Sequence, residues 1–125
     1  MSDAPLVDSH AHIFTTDLPM VDNPRHHPTY AYTAEDYIAD LDAHGVKYAV
    51  LAGVSLYGDY NDYQIGTCRR YRRLRTTVIL KPEVERYTME RMAEDGVVGM
   101  RLMWMGLKDL PNLDTFEYRR LFKRI

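Results

Sequence analysis

The sequence holds a single cysteine, Cys68, so no disulfide can close within the chain and a reducing compartment is the default expectation. It has no apolar run approaching the roughly 18 residues that a membrane span requires. Its first residues, Met1 to Pro5, lack both the basic end and the apolar stretch of a signal peptide. Charge of one sign is also scarce: 16 Lys and Arg stand against 18 Asp and Glu, a net charge of −2. That balance gives no electrostatic reason for a nucleic-acid or membrane partner. Low-complexity segments, linkers and repeats are missing too. What remains is 46% hydrophobic and 27% charged residues over a length of 125, the mix of a globular chain with one core. A single domain over residues 1–125, in the cytoplasm, is the expectation.

Strand-like and helix-like segments alternate along the chain. Leu6 to Ile13 reads as a first strand, and period-two patterning sets Leu6, Asp8, His10 and His12 on one face. A polar loop follows from Thr15 to about Tyr32. Thr33, with Asp36 three residues on, can open a helix through an acidic variant of the capping box, and Gly45 can end it. Val46 to Ala52 is an apolar second strand suited to burial on both faces. A second helix is expected from Asn61 to Leu74, a third strand from Thr76 to Leu80, and a third helix from Glu83 to Asp95. Val97 to Leu102 is the fourth strand, and an amphipathic helix opening at Asp114 aligns Tyr118, Leu121, Phe122 and Ile125. Alternation of this kind predicts an α/β fold with a parallel sheet of right-handed βαβ units.

The chemistry-bearing residues gather at the first strand. His10 and His12, two apart, can converge on one divalent ion such as zinc, and Asp8 is placed to orient a neighbouring group. An isolated histidine pair is as often structural as functional. Here it sits at the carboxyl end of a first parallel strand, where barrel active sites form, and two polar rings without a task would be costly to bury. Arg101, at the end of the fourth strand, offers a planar fork that matches a carboxylate.

The stretch Val7-Asp8-Ser9-His10-Ala11-His12-Ile13 resembles the D-x-H-x-H opening of the amidohydrolase superfamily. The likeness is nearest to its amidohydrolase-related branch, which contains 2-pyrone-4,6-dicarboxylate lactonase. Ser55-Leu56-Tyr57-Gly58-Asp59-Tyr60-Asn61 is similar to that branch's S-x-x-G-x-D-N segment, with Tyr60 in place of Asp. Val78-Ile79-Leu80-Lys81-Pro82 takes the place of its third strand and turn, and Gly96-Val97-Val98-Gly99-Met100-Arg101-Leu102 that of its fourth. The resemblance implies the N-terminal (βα)4 half of a TIM-type (β/α)8 barrel and a hydrolase of carboxylate-bearing cyclic esters. By resemblance His10 and His12 are catalytic residues and metal ligands, or substrate contacts where the branch works without metal, and Ser55 and Arg101 bind substrate. A metal-dependent decarboxylase, and an inactive half-barrel that only binds or assembles, stand as alternatives. The family's remaining ligands and its catalytic aspartate have no counterpart in these residues. A half-barrel would leave two open strand edges, so the expectation is a fragment or a homo-oligomer that closes the barrel.

Other features have plainer readings. His44 suits a helix C-terminus, and His26 and His27 an exposed loop pair. Arg69, Arg70, Arg72, Arg73 and Arg75 read as the solvated end of the second helix, not as a nucleic-acid patch of the kind a TatD-type nuclease would suggest. Met100, Met103, Met105 and Trp104 read as core and loop packing.

Overall fold

The computed structural model describes residues 3–125, so Met1 and Ser2, part of the signal-peptide reading, lie outside the described residues. Four parallel strands alternate with four helices: β1 Leu6–Ala11, α1 Ala34–Ala43, β2 Val46–Leu51, α2 Asp62–Arg70, β3 Leu74–Ile79, α3 Arg86–Glu94, β4 Val97–Arg101 and α4 Phe116–Arg124. The sheet order is β1-β2-β3-β4, so each strand pairs with the next in sequence, as in half of a TIM barrel. A short 3₁₀ turn, Ser55–Tyr57, follows β2. No helix among the described residues is long and apolar enough to cross a membrane.

Local chemistry accounts for the first helix. Thr33 accepts the amide of Asp36 while the Asp36 carboxylate accepts the amide of Thr33, the reciprocal box that the spacing predicts. Gly45, at φ +67°, takes the left-handed turn into β2 without the strain a side chain would add. α1 then buries Ala34, Tyr37 and Leu41 against Ala49 and Leu51 of β2, with Ile13, Cys68 and Leu74 completing the core. Each fully buried large aliphatic side chain in such a cluster is worth about 1.5–3 kcal/mol.

The structure differs from the sequence reading in several places. α2 stops at Arg70, and Leu74, placed at its end by periodicity, instead begins β3 as a fully buried residue. The arginine cluster is therefore not one helix end: Arg72 and Arg73 form a turn and Arg75 lies in β3. Arg73 has a structural task, donating to the carbonyls of Lys47 and Val46 at 2.9 and 2.7 Å and pairing with Asp42. β2 is not covered on both faces either. Tyr48 on its inner side is 40% exposed, and Leu6 and Val7 of β1 are more exposed still. These are positions that a closed barrel fills with packed side chains.

Register explains the largest difference. Asp8 pairs with Ala49 and Ala11 with Leu51, so β1 takes three steps where β2 takes two. That bulge-like step breaks the alternation. Residues in register on parallel strands point the same way, and Ala49 and Leu51 belong to the core beneath α1. Asp8 and Ala11 therefore face the helix layer, and Asp8 does not share a face with His10 and His12.

Candidate active site

The functional side chains gather at the carboxyl ends of β1, β2 and β4. His12 follows β1 directly and is half-buried, and its Nδ1 lies 3.0 Å from the carbonyl of Ala52, just beyond β2. Since a carbonyl only accepts, Nδ1 carries the proton and Nε2 the lone pair. The strands are tied together at this level by the Ala52 amide, which donates to Ala11 at 2.8 Å. The exposed His10 ring packs edge-on against His12, with centroids 5.0 Å apart and planes at 79°.

Arg101, the last residue of β4, reaches across β3 to the end of β2 and donates to the carbonyl of Gly53 at 2.6 Å. Among the described residues it forms no ion pair with an acidic neighbour, and a guanidinium has further donors to offer a ligand. Ser55 opens the 3₁₀ turn and shares a cavity of about 400 Å³ with His12. Phe14, Arg25, His26 and Tyr30 from the loop after β1 also line it, whereas His10 and Arg101 do not. His26 is exposed, as the sequence suggests, but lines this cavity together with His12, whereas His27 does not. The loop is held over the site by a bridge between Phe14 and Tyr32 and by the Val21 amide, which donates to Leu56 at 2.8 Å. Arg25 also contacts the Met105 sulfur in the loop after β4.

Asp8 serves from the other side of the sheet. Its Oδ2 accepts the Tyr37 hydroxyl at 2.7 Å and its Oδ1 accepts the His10 amide at 3.1 Å. Burial and the neighbouring Asp8 push the Tyr37 hydroxyl well above the ordinary tyrosine range, so it stays a donor. Tyr32 turns away from the site to Asp40 of α1, and burial raises it to about 12. His44 donates from Nδ1 to the Asp40 carbonyl at its own helix end, 2.8 Å away and remote from the site.

Asn61 and Gln64 carry no role in the sequence reading, yet both are buried. Asn61 Nδ2 donates to the carbonyls of Ile79 and Asp59, both at 2.9 Å, and its Oδ1 accepts the Ile79 amide at 3.1 Å. Gln64 donates to the Thr77 carbonyl at 2.9 Å. The asparagine of the S-x-x-G-x-D-N segment thus clamps the end of β3. Its position at the start of α2 was the only signal, and that signal points to a cap.

Burial depresses the pKa of His12 below the ordinary 6.5, and the positive charges of His10 and Arg101 add to this against the Ala52 hydrogen bond. The unfolded chain then takes up the proton first as pH falls. Stability is full above 6.5 and is lost as pH drops from there toward the depressed folded value. Thermal unfolding across this range is expected to show a falling midpoint, and His12→Gln should flatten the slope. An unchanged slope in that variant would place the proton elsewhere.

Two imidazoles supply half of the four donors that a tetrahedral zinc site takes. Among the described residues no group of three or more His, Cys, Asp or Glu is placed to hold a metal. The metal expected from the motif therefore does not find a complete ligand set in these residues.

Solved structures share this fold. The chain superposes on a probable 2-pyrone-4,6-dicarboxylic acid hydrolase from Acinetobacter baumannii, with citric acid bound, at a TM-score of 0.92 and 27% identity. That match covers 97% of this chain and 45% of the other. A protein from Pseudomonas putida assigned the same activity gives a TM-score of 0.84 at 36% identity, covering 96% of this chain and 44% of its own. The chain is built as half of the TIM-type barrel seen in these structures. An Agrobacterium tumefaciens structure, at 19% identity, TM-score 0.71 and coverage of 80% and 40%, shares the fold. The chain thus spans less than half the length of the structures it matches. No protein-family model matches the sequence, and no curated protein does.

Proposed function

We propose that the chain carries the first-strand and fourth-strand part of a lactonase-like hydrolase site, acting on a small cyclic ester that bears a carboxylate. The observation that carries this reading is the meeting of His12, His10 and Arg101 at one mouth of an amidohydrolase-type sheet. Two structures of the same architecture are assigned to hydrolysis of 2-pyrone-4,6-dicarboxylic acid, and one of them holds citric acid, a carboxylate ligand.

In the proposed reaction water adds to the ring carbonyl, the ring C–O bond breaks, and the leaving oxygen takes a proton to give a ring-opened hydroxy acid. Arg101 anchors the substrate carboxylate with the donors not committed to Gly53. His10 faces the reacting carbonyl, where its imidazole N–H stabilises the developing negative charge, while His12, with its Nδ1–H held by Ala52, presents the Nε2 lone pair to the water or a metal. Ser55, in the cavity that His12 also lines, orients the ring. A divalent metal bound by His10 and His12 would supply a polarised carbonyl and an activated water; its further ligands would have to come from outside these residues. The ligand is a small organic acid or lactone, the compartment is cytoplasmic, and a second copy of the chain can serve as partner at the open strand edges.

The test is a panel of carboxylate-bearing lactones and aromatic acids, following ring opening and CO₂ release with the purified protein. Ring opening is expected only where a second copy or further chain closes the barrel and not from the isolated monomer, and there Arg101→Ala should raise KM about 10–100-fold, the loss of one charge-assisted pair. CO₂ release without ring opening would favour the decarboxylase. A folded protein that does neither would be a binding or assembly unit.

A further inference from the structure

His12 has a side-chain anchor in the Ala52 carbonyl, but His10 is held differently. Among the described residues its ring makes no hydrogen bond, and its orientation comes through the backbone and the edge contact with His12. The backbone at this point lies inside the step where β1 slips against β2. One oxygen of Asp8 accepts the His10 amide two residues on, the geometry of an Asx turn. The other oxygen is held by the Tyr37 hydroxyl, from a helix on the opposite side of the sheet. Tyr37 is itself buried in the core, and among the described residues Asp8 is the acceptor of its hydroxyl, so it fixes the carboxylate that a free Asx turn would leave to rotate.

We propose that Asp8 and Tyr37 are positioning residues for His10: together they fix the slipped backbone that sets the His10 ring against His12. The hydroxyl of one core tyrosine is thereby transmitted through the sheet to the site. This rests on reading His10 and His12 as the site, but it concerns where a ring sits and not whether turnover occurs.

The readout is the amide and imidazole NMR signals of His10 and His12, with those of His44 as a distant reference. Tyr37→Phe keeps the buried ring and removes only the hydroxyl. With a cooperative melt retained, the His10 amide and ring signals are expected to shift, the His12 ring to follow, and His44 to stay in place. Asp8→Asn, which keeps one carbonyl oxygen, should give a smaller shift of the same signals. His10 signals that superimpose on wild type in either folded variant would overturn the proposal. If both variants lose the cooperative melt, the pair is a fold determinant and the positioning role is equally overturned. Hydrolysis lost with His10 unmoved would count against this inference alone, whereas His10 moved in a protein without hydrolysis would count against the proposed function alone.

Discussion

Asn61→Leu is expected to lower stability by about 3–5 kcal/mol, because it strands two buried backbone groups at once. The side chain is 4% exposed and binds both the amide and the carbonyl of Ile79. Each group left without a partner costs about 1–3 kcal/mol, and leucine can offer neither donor nor acceptor. Water cannot easily replace the amide, since Ile79 is itself buried and the neighbouring Gln64 is committed to Thr77. In urea unfolding, with a slope of about 1–3 kcal/mol per molar for a chain of this size, the midpoint should move down by roughly 2 M. Asn61→Asp, which keeps an acceptor and loses the donor, should fall between. A midpoint for the leucine variant within about 0.5 kcal/mol of wild type, the range of ordinary surface substitutions, would refute the clamp.

Gly53→Ala should cost about 1–3 kcal/mol and disturb the site as well. A Cβ there would lie 2.9 Å from Ile79 Cγ1 and 3.1 Å from the Ile79 amide nitrogen. The side-chain contact could yield by rotation, but the amide is pinned by Asn61 and the strand cannot retreat. The end of β2 must move instead, and with it the carbonyl that Arg101 holds at 2.6 Å. Ile79→Ala removes the Cγ1 contact, so the double variant should lose less than the two single changes taken together. Strict additivity in denaturant unfolding would mean that Gly53 is not pressed against Ile79.

Much of the fold is legible in the sequence because its signals are local. Thr33, Asp36 and Gly45 bound a helix by interactions that span a few residues, and the β/α alternation follows from them and from short apolar runs. The pairing of His10 with His12 is also legible, because the two stand only two residues apart in the sequence. Asp8 was illegible for a definite reason: its face is set by the register of β1 on β2 and by a tyrosine 29 positions away. Period-two counting assumes a regular strand and cannot see a slipped one. Arg73 and Leu74 were misplaced because an amphipathic count runs on through a turn when no glycine or proline interrupts it. Asn61 reads as a cap, since a hydrogen bond to a strand 18 residues later leaves no pattern in sequence.

The strand order carries a consequence for how the chain acquires its structure. Every β-pair joins strands adjacent in sequence, so no step requires closing a loop longer than one β-α unit. Loop-closure entropy is then met one β-α unit at a time instead of across the whole chain. The sheet can grow in one direction as the polypeptide leaves the ribosome, each new strand templated by the edge before it, much as repeats add in a solenoid.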